Sequence, residues 1–168
     1  MIDYKNITIY DRTETELQEF LLYCIIVDNN NAALQAALLN IFLMKGYREY
    51  MTPFEFIGSL LEQDTLHHLI SDANLGNYRR LTKIFKQFIH VDISNLYLPE
   101  LEDMVGVGPK IARQFITHTK PNQHNIVIFD RSKLEELAAR REHNIPIPKS
   151  VPHSISRYRE LELLYLEK

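Results

Sequence analysis

Residues 101–115 read LEDMVGVGPKIARQF, and this stretch decides the fold. Two helical patterns are separated by a turn with glycines at positions 106 and 108. Glycine is needed where the backbone reverses tightly or approaches a ligand closely, because it has no Cβ. The turn leads into a helix N-terminus, whose free N–H groups and positive dipole end favour an anion such as phosphate. The stretch therefore predicts a hairpin of two helices, over about residues 99–118, that holds a nucleic-acid backbone without reading its bases.

Helical patterns continue on both sides of this hairpin. The pairs Thr13 with Glu16 and Thr52 with Glu55 are typical of helix starts. The helix before Gly46 has a predicted apolar face, formed by Leu34, Leu38, Ile41 and Phe42. After residue 120, the pattern predicts a short apolar strip, two further helices and a proline-containing extended segment between them. We therefore expect one all-α domain, residues 1–168, of roughly seven to nine helices.

The composition of the 168 residues excludes several classes of protein. With 45% apolar and 24% charged residues, the chain can form a buried core, and wholesale disorder is not expected. No apolar run approaches the about 20 residues of a membrane span, so we expect no membrane partner. The single cysteine, Cys24, excludes an intrachain disulfide and a four-cysteine zinc or iron–sulfur site, and it fits a reducing, cytoplasmic compartment. The seven histidines show no metal-binding spacing, so no metal is expected.

Charge is unevenly distributed along the chain. The net charge is −3, from 19 basic and 22 acidic residues, which argues against a protein that binds nucleic acid over its whole surface. Between residues 76 and 120, however, basic residues outnumber acidic ones. Asn77 can begin an amphipathic helix in this region, and its predicted outward residues are Arg79, Arg80, Lys83 and Lys86. A solvated helix face is favoured for these four over a binding face, but an anionic partner would dock in this middle region.

Residues 105–112, VGVGPKIA, resemble the hairpin of the helix-hairpin-helix DNA glycosylases, the superfamily of endonuclease III and 8-oxoguanine DNA glycosylase. The family pattern is Leu-Pro-Gly-Val-Gly-x-Lys-x-Ala. An aspartate that begins a helix follows some eighteen to twenty residues after its lysine. Here Asp130 stands twenty residues after Lys110, directly after the apolar strip IVIF. The resemblance implies the glycosylase fold, with its helices arranged around a cleft.

Two further segments resemble the family, so that the resemblance covers about residues 15–168. Residues 23–32, YCIIVDNNNA, are similar to the Asn-rich turn that fills the gap left by a flipped base. Residues 146–161 are similar to the C-terminal end of small, single-domain prokaryotic members. Val105 and Ser132 depart from the family's usual proline and histidine. The iron–sulfur cysteines and the amino-terminal β-domain are absent, which points to a cluster-free branch without a cofactor.

The resemblance implies a base-excision repair enzyme, with glycosylase and abasic-site (AP) lyase activities, that acts on double-stranded DNA containing a damaged base. Lys110 would attack the sugar C1′ as the nucleophile, and Asp130 would stabilise the positive charge on the sugar and handle the proton. The remaining DNA contacts implied by the resemblance are made by Gly106, Val107, Gly108, Arg113, Asn29, Asn30 and Asn31. Within the family, 8-oxoguanine is the first expectation for the base removed, and an alkylated base remains open. We expect a cytoplasmic, nucleoid-associated monomer.

Each of these residues also has a simpler interpretation. Lys110 can be a solvated lysine that contacts phosphate, and Asp130 can be a helix cap worth about 1 kcal/mol of stability. Asn29, Asn30 and Asn31 can be no more than a turn between two helices. Two other functions therefore remain open: a non-catalytic helix-hairpin-helix module that binds DNA, and an N-glycosidase that acts on a modified nucleoside.

Overall fold

The computed structural model describes residues 1–28 and 30–121, and this part of the chain is all-α. It contains two 3-10 helices, Phe88–His90 and Ile93–Asn95, and no strand. Its seven α-helices are α1 (Glu14–Val27), α2 (Ala32–Tyr47), α3 (Pro53–Glu62), α4 (Leu66–Asp72), α5 (Tyr78–Lys86), α6 (Leu98–Glu102) and α7 (Gly108–Thr119). The predicted all-α class is confirmed there, and none of these helices has the length and apolarity to cross a bilayer. The predictions for the apolar strip after residue 125, Asp130 and the C-terminal helices lie outside the described residues.

Short polar side chains begin several helices as the sequence predicts. Thr52 and Glu55 form a complete capping box at the start of α3, because each side chain bonds the backbone N–H of the other residue. At α1 the box is only half formed. The Thr13 hydroxyl accepts from the Glu16 N–H. The Glu16 carboxylate accepts from this same hydroxyl instead of from the Thr13 backbone N–H. Asn77 caps α5 through the Arg80 N–H, also as predicted.

Helix α1 lies at the centre of the core. Every residue from Gln18 to Ile26 is buried, so the helix is covered on all sides. It packs against α2, α3 and α7. The ring of Phe20 stacks on that of Phe115 in α7, with centroids 6.0 Å apart. The middle of α1 is therefore held beside α7.

The predicted apolar face of α2 is correct at Phe42, which is buried, and at Leu38, which is partly buried, but wrong at the other two positions. Leu34 and Ile41 are 57% and 63% exposed, whereas the buried apolar residues of this helix are Ala36, Leu39, Phe42 and Leu43. The sequence AALQAALLNIFLM is apolar around most of the helix, so spacing alone does not identify the inward face. The helix also continues past the predicted stop at Gly46 and ends at Tyr47.

Two polar side chains on the central helix are buried and satisfied by long-range hydrogen bonds. Glu19 accepts from the Tyr47 hydroxyl at 2.7 Å and pairs with the amino group of Met1 at 3.2 Å. Burial, with the hydrogen bond to Glu19, raises the pKa of Tyr47. The Gln18 Oε1 accepts from the Phe54 N–H at the start of α3. These bonds join α1 to its neighbours at defined positions, because an unpaired polar group there would be costly.

The N-terminal segment is fastened across the end of α7. The Arg12 guanidinium lies over the Phe20 ring, 4.0 Å from its centroid, and donates to the carbonyls of Ile7, Ile9 and His118. Thr8 Oγ1 lies 2.7 Å from the His118 Nδ1. His118 is thereby enclosed between this segment and the core.

Acidification should destabilise the protein in part through His118. Burial, and to a smaller extent the nearby charge of Arg12, lowers the pKa of His118 in the folded state. The unfolded chain, in which histidine has a pKa of about 6.5, then binds the proton more readily, so the free energy of unfolding falls as the pH drops below about 6.5. Replacing His118 with Gln should weaken this dependence, as measured by urea unfolding at pH 7 and pH 5. Equal pH dependence in both proteins would contradict this prediction.

Candidate functional site

The predicted hairpin is formed by α6, α7 and the tight turn between them. Gly106 and Gly108 have φ angles of 81° and 65°, the left-handed region that favours glycine. The predicted need for glycine at both positions is confirmed. Helix α7 begins at Gly108, and Pro109 is its second residue.

The hairpin turn is clamped to α5. A Cβ on Gly106 would lie 2.6 Å from the Ile84 Cγ1, so only glycine allows the turn to approach this closely. The Gln87 side chain donates to the Val105 carbonyl at 2.7 Å and accepts from the Val105 N–H at 3.0 Å. Sequence reasoning missed Gln87, and no motif could have identified it, because its two bonds join positions 18 residues apart.

The start of α7 offers backbone rather than side-chain contacts. Its N-cap residue is Val107, whose side chain is apolar and cannot satisfy the first N–H groups of the helix. The Val107 side chain is itself buried, and its N–H donates to the Met104 carbonyl at 3.2 Å, so contact of this residue with DNA stays a prediction. Gly106 is exposed and Gly108 is partly exposed, without a Cβ to keep a ligand away. Such an end, with its positive dipole, suits a phosphate.

Lys110 lies close to a carboxylate that sequence reasoning did not identify. Its Nζ lies 3.2 Å from Oδ1 of Asp28, and the two side chains are 35% and 30% exposed. Asp28 is the C-cap residue of α1 and begins the Asn-rich turn. The hairpin and the Asn-rich turn, 82 residues apart in sequence, therefore meet at this ion pair. The predicted partner, Asp130, lies outside the described residues.

The Asn-rich segment forms the predicted turn between α1 and α2. Asn31 caps α2 by accepting from the Leu34 N–H at 2.9 Å, and the Asn30 side chain donates to the Ile26 carbonyl at 3.1 Å. Both asparagines are exposed. Asn29 lies outside the described residues. Contact of these side chains with a base stays a prediction.

Arg113 is buried in the hairpin instead of facing solvent. It is 7% exposed, and its Nε donates to the Glu102 Oε1 at 3.4 Å. This pair joins the end of α6 to the middle of α7 and stabilises the hairpin itself. Such burial does not favour contact with DNA, which stays a prediction for this residue.

The four basic side chains of α5 point outward, as predicted. Arg79, Arg80, Lys83 and Lys86 are all exposed, while Leu81, Ile84 and Phe85 are buried. Exposure alone fits both a solvated face and a binding face. Because Gln87 clamps this helix to the hairpin, however, the basic face and the start of α7 have a fixed relation to each other.

Other reactive side chains in the described ranges do not form a second site. No three histidine, cysteine or acidic residues among them lie close enough together to hold a metal ion. Cys24 is fully buried, and this burial raises the pKa of its thiol. The thiol is therefore held in its unreactive, protonated form.

Replacing Gly106 with Ala should lower the free energy of unfolding by about 2–4 kcal/mol, because the new Cβ would meet Ile84 and the backbone would keep an unfavourable φ. Chemical denaturation measures the change. Gly58→Ala is the matched control: its Cβ would lie 3.7 Å from the nearest side-chain atom, inside α3. We expect this control to gain about 0.5–1 kcal/mol from the helical preference of alanine. Equal stability of the two variants would refute the close approach.

Comparisons with protein-family models, with curated proteins and with solved structures found no match for this chain. We therefore infer function from the structure itself, namely from the positions of the hairpin, Lys110 and the Asn-rich turn.

Proposed function

We propose that this chain is a DNA base-excision repair glycosylase with AP lyase activity, in the helix-hairpin-helix fold. The observation that carries the proposal is the contact between Lys110 Nζ and Asp28, 3.2 Å apart. Two segments that resemble the glycosylases separately, the hairpin and the Asn-rich turn, are adjacent in space through this contact. A nucleophile beside a turn that enters the gap of a flipped base is the arrangement that this reaction needs.

The hairpin would hold the DNA backbone. The backbone at Gly106, Val107 and Gly108 lies at the positive end of α7, where two glycines allow an anion to approach closely. The Val107 N–H already donates to the Met104 carbonyl, so the glycine N–H groups would supply most of the contact. Such contacts fix the register of the duplex but do not read its sequence. This suits an enzyme that must recognise a lesion in any sequence context.

The Asn-rich turn would replace the flipped base. Extrusion of a nucleotide costs a few kcal/mol, which contacts in the vacated gap can partly offset. Asn30 and Asn31 are exposed at the turn, two and three residues after Asp28, which contacts Lys110. Their amide groups, with that of Asn29, would bond the orphaned partner base.

Lys110 would carry the covalent chemistry. Its uncharged amine attacks C1′, the glycosidic bond breaks, and the base leaves with the bonding electrons and takes up a proton. The amine adduct opens the sugar ring: the C1′–O4′ bond breaks, O4′ takes up a proton, and the nitrogen lone pair forms the C1′=N bond of a protonated Schiff base. This Schiff base acidifies the proton on C2′. Loss of this proton expels the 3′ phosphate by β-elimination and cuts the strand. Asp130 would stabilise the positive charge on the sugar and handle the protons.

The substrate proposal rests on the Asn-rich turn and the C-terminal segment, which favour 8-oxoguanine over an alkylated base. The partner is double-stranded DNA that contains the damaged base, bound by a monomer associated with the nucleoid. Assay of a set of duplexes, each with one damaged base, would identify the base removed.

Borohydride trapping tests the reaction. The wild-type protein should form a covalent adduct with an abasic-site duplex when the Schiff base is reduced, and Lys110→Ala should form none, because its amine is missing. Lys45→Ala is the matched control, since Lys45 is an exposed lysine on α2. It should form adduct at the wild-type rate. Adduct formation by Lys110→Ala would exclude Lys110 as the nucleophile.

Two other outcomes would assign a different function. Binding to the abasic duplex without any wild-type adduct indicates the non-catalytic DNA-binding module. Base release from a modified nucleoside, without salt-sensitive binding to duplex DNA, indicates the N-glycosidase, because counterion release accompanies contact with a polyanion.

The basic face of α5 should contribute to DNA binding because it is clamped beside the hairpin. Replacing Arg80 and Lys83 with Gln should weaken binding and reduce the slope of log K against log salt by about 0.9 for each phosphate that the variant no longer neutralises. Fluorescence anisotropy across a salt series measures the slope, and Lys45→Gln provides the control. If the slope is unchanged in the double variant, the basic face of α5 is solvated and does not contact DNA.

A further inference from the structure

We infer that Asp28 is a positioning residue that holds the amine of Lys110 where it can attack the sugar. This inference rests on the proposed function and adds to it a residue that the resemblance does not assign. It names the end of α1, rather than the hairpin alone, as the part of the fold that orients the nucleophile.

The carboxylate of Asp28 is attached to a rigid element. Asp28 directly follows α1, whose residues are buried as far as Ile26. The turn after it is held by the Asn30 N–H, which donates to the Val27 carbonyl at 2.8 Å, and by the Asn30 side chain, which donates to the Ile26 carbonyl. Helix α1 in turn packs against α7, which carries Lys110. The positions of both backbones are therefore set by the core.

The lysine side chain needs such a restraint. Its ammonium group is a point charge on a flexible four-carbon stem, and about one-third of the side chain is exposed. A carboxylate at 3.2 Å limits the rotamers that the stem samples. Reacting groups must be aligned at about 3–3.5 Å, and a displacement of about 1 Å can cost about 100-fold in rate.

The same contact has an opposing electrostatic effect. A carboxylate stabilises the charged ammonium, whereas the attack requires the uncharged amine. Because both side chains are about one-third exposed, water screens the charge–charge attraction, whereas the directional N–H···O hydrogen bond at 3.2 Å still restrains the position of the ammonium group. The two effects predict opposite results when the Asp28 charge is removed: slower attack if positioning dominates, and faster attack if stabilisation of the ammonium dominates.

The test is single-turnover borohydride trapping on an abasic-site duplex with Asp28→Asn and Asp28→Glu. Asparagine preserves the turn, so binding to a duplex with a tetrahydrofuran abasic analogue and the melting temperature should stay close to wild type. We expect Asp28→Asn to form adduct about 10- to 100-fold more slowly. Asp28→Glu should recover part of the rate, because it retains a carboxylate at a slightly different reach. Asp72→Asn, which removes an exposed charge at the end of α4, should match wild type.

The outcomes separate this inference from the proposed function. Wild-type adduct with equally fast or faster trapping by Asp28→Asn overturns the positioning role and leaves the glycosylase proposal intact. A different result also overturns the positioning role. If Asp28→Asn traps more slowly but also binds more weakly and melts at a lower temperature, and Asp28→Glu recovers none of the rate, Asp28 only stabilises the structure of the turn. Absence of any wild-type adduct overturns the proposed function, and the inference with it.

Discussion

The burial of α1 on every side is the constraint on which the rest of the described structure depends. A helix covered all round must bring α2, α3 and α7 against different faces of itself, and its position fixes theirs. Buried polar groups refine the fit, because Gln18 and Glu19 each have partners in other parts of the chain. The core consequently fixes the position of the end of this helix, where the side chain of Asp28 contacts Lys110.

A second fixed point is the clamp between the hairpin turn and α5. The van der Waals contact of Gly106 with Ile84 sets the distance between them, and the two hydrogen bonds of Gln87 to Val105 set the orientation. Inside the hairpin, the Glu102–Arg113 pair joins its two helices. The position of α7, which carries Lys110, is therefore fixed by two sets of contacts. Helix α5 contacts the turn before α7, and α1 packs along the length of α7.

Local features of this fold could be predicted from the sequence, whereas features that depend on tertiary packing could not. The caps at Thr52 and Asn77 and the glycine turn involve partners a few residues apart, so spacing alone reveals them. The inward face of α2 could not be chosen, because the helix is apolar on most sides. For the candidate site, the motif identified Lys110 and the turn, but not Asp28, since 82 residues separate the two charges. The burial of Arg113 is likewise a consequence of packing.

The Asp28–Lys110 contact also bears on the simpler interpretation of Lys110 as a phosphate-binding residue. A lysine that serves a phosphate does so as a point charge, and a carboxylate 3.2 Å away offsets that charge and repels the incoming anion. Phosphate contacts are better served by the uncharged N–H groups at the start of α7 and by the basic face of α5. The sugar C1′, in contrast, carries no anionic charge before the reaction and develops positive charge as the base departs. Electrostatics near Asp28 therefore disfavour a phosphate as the target of Lys110 and are compatible with the proposed attack on the sugar carbon.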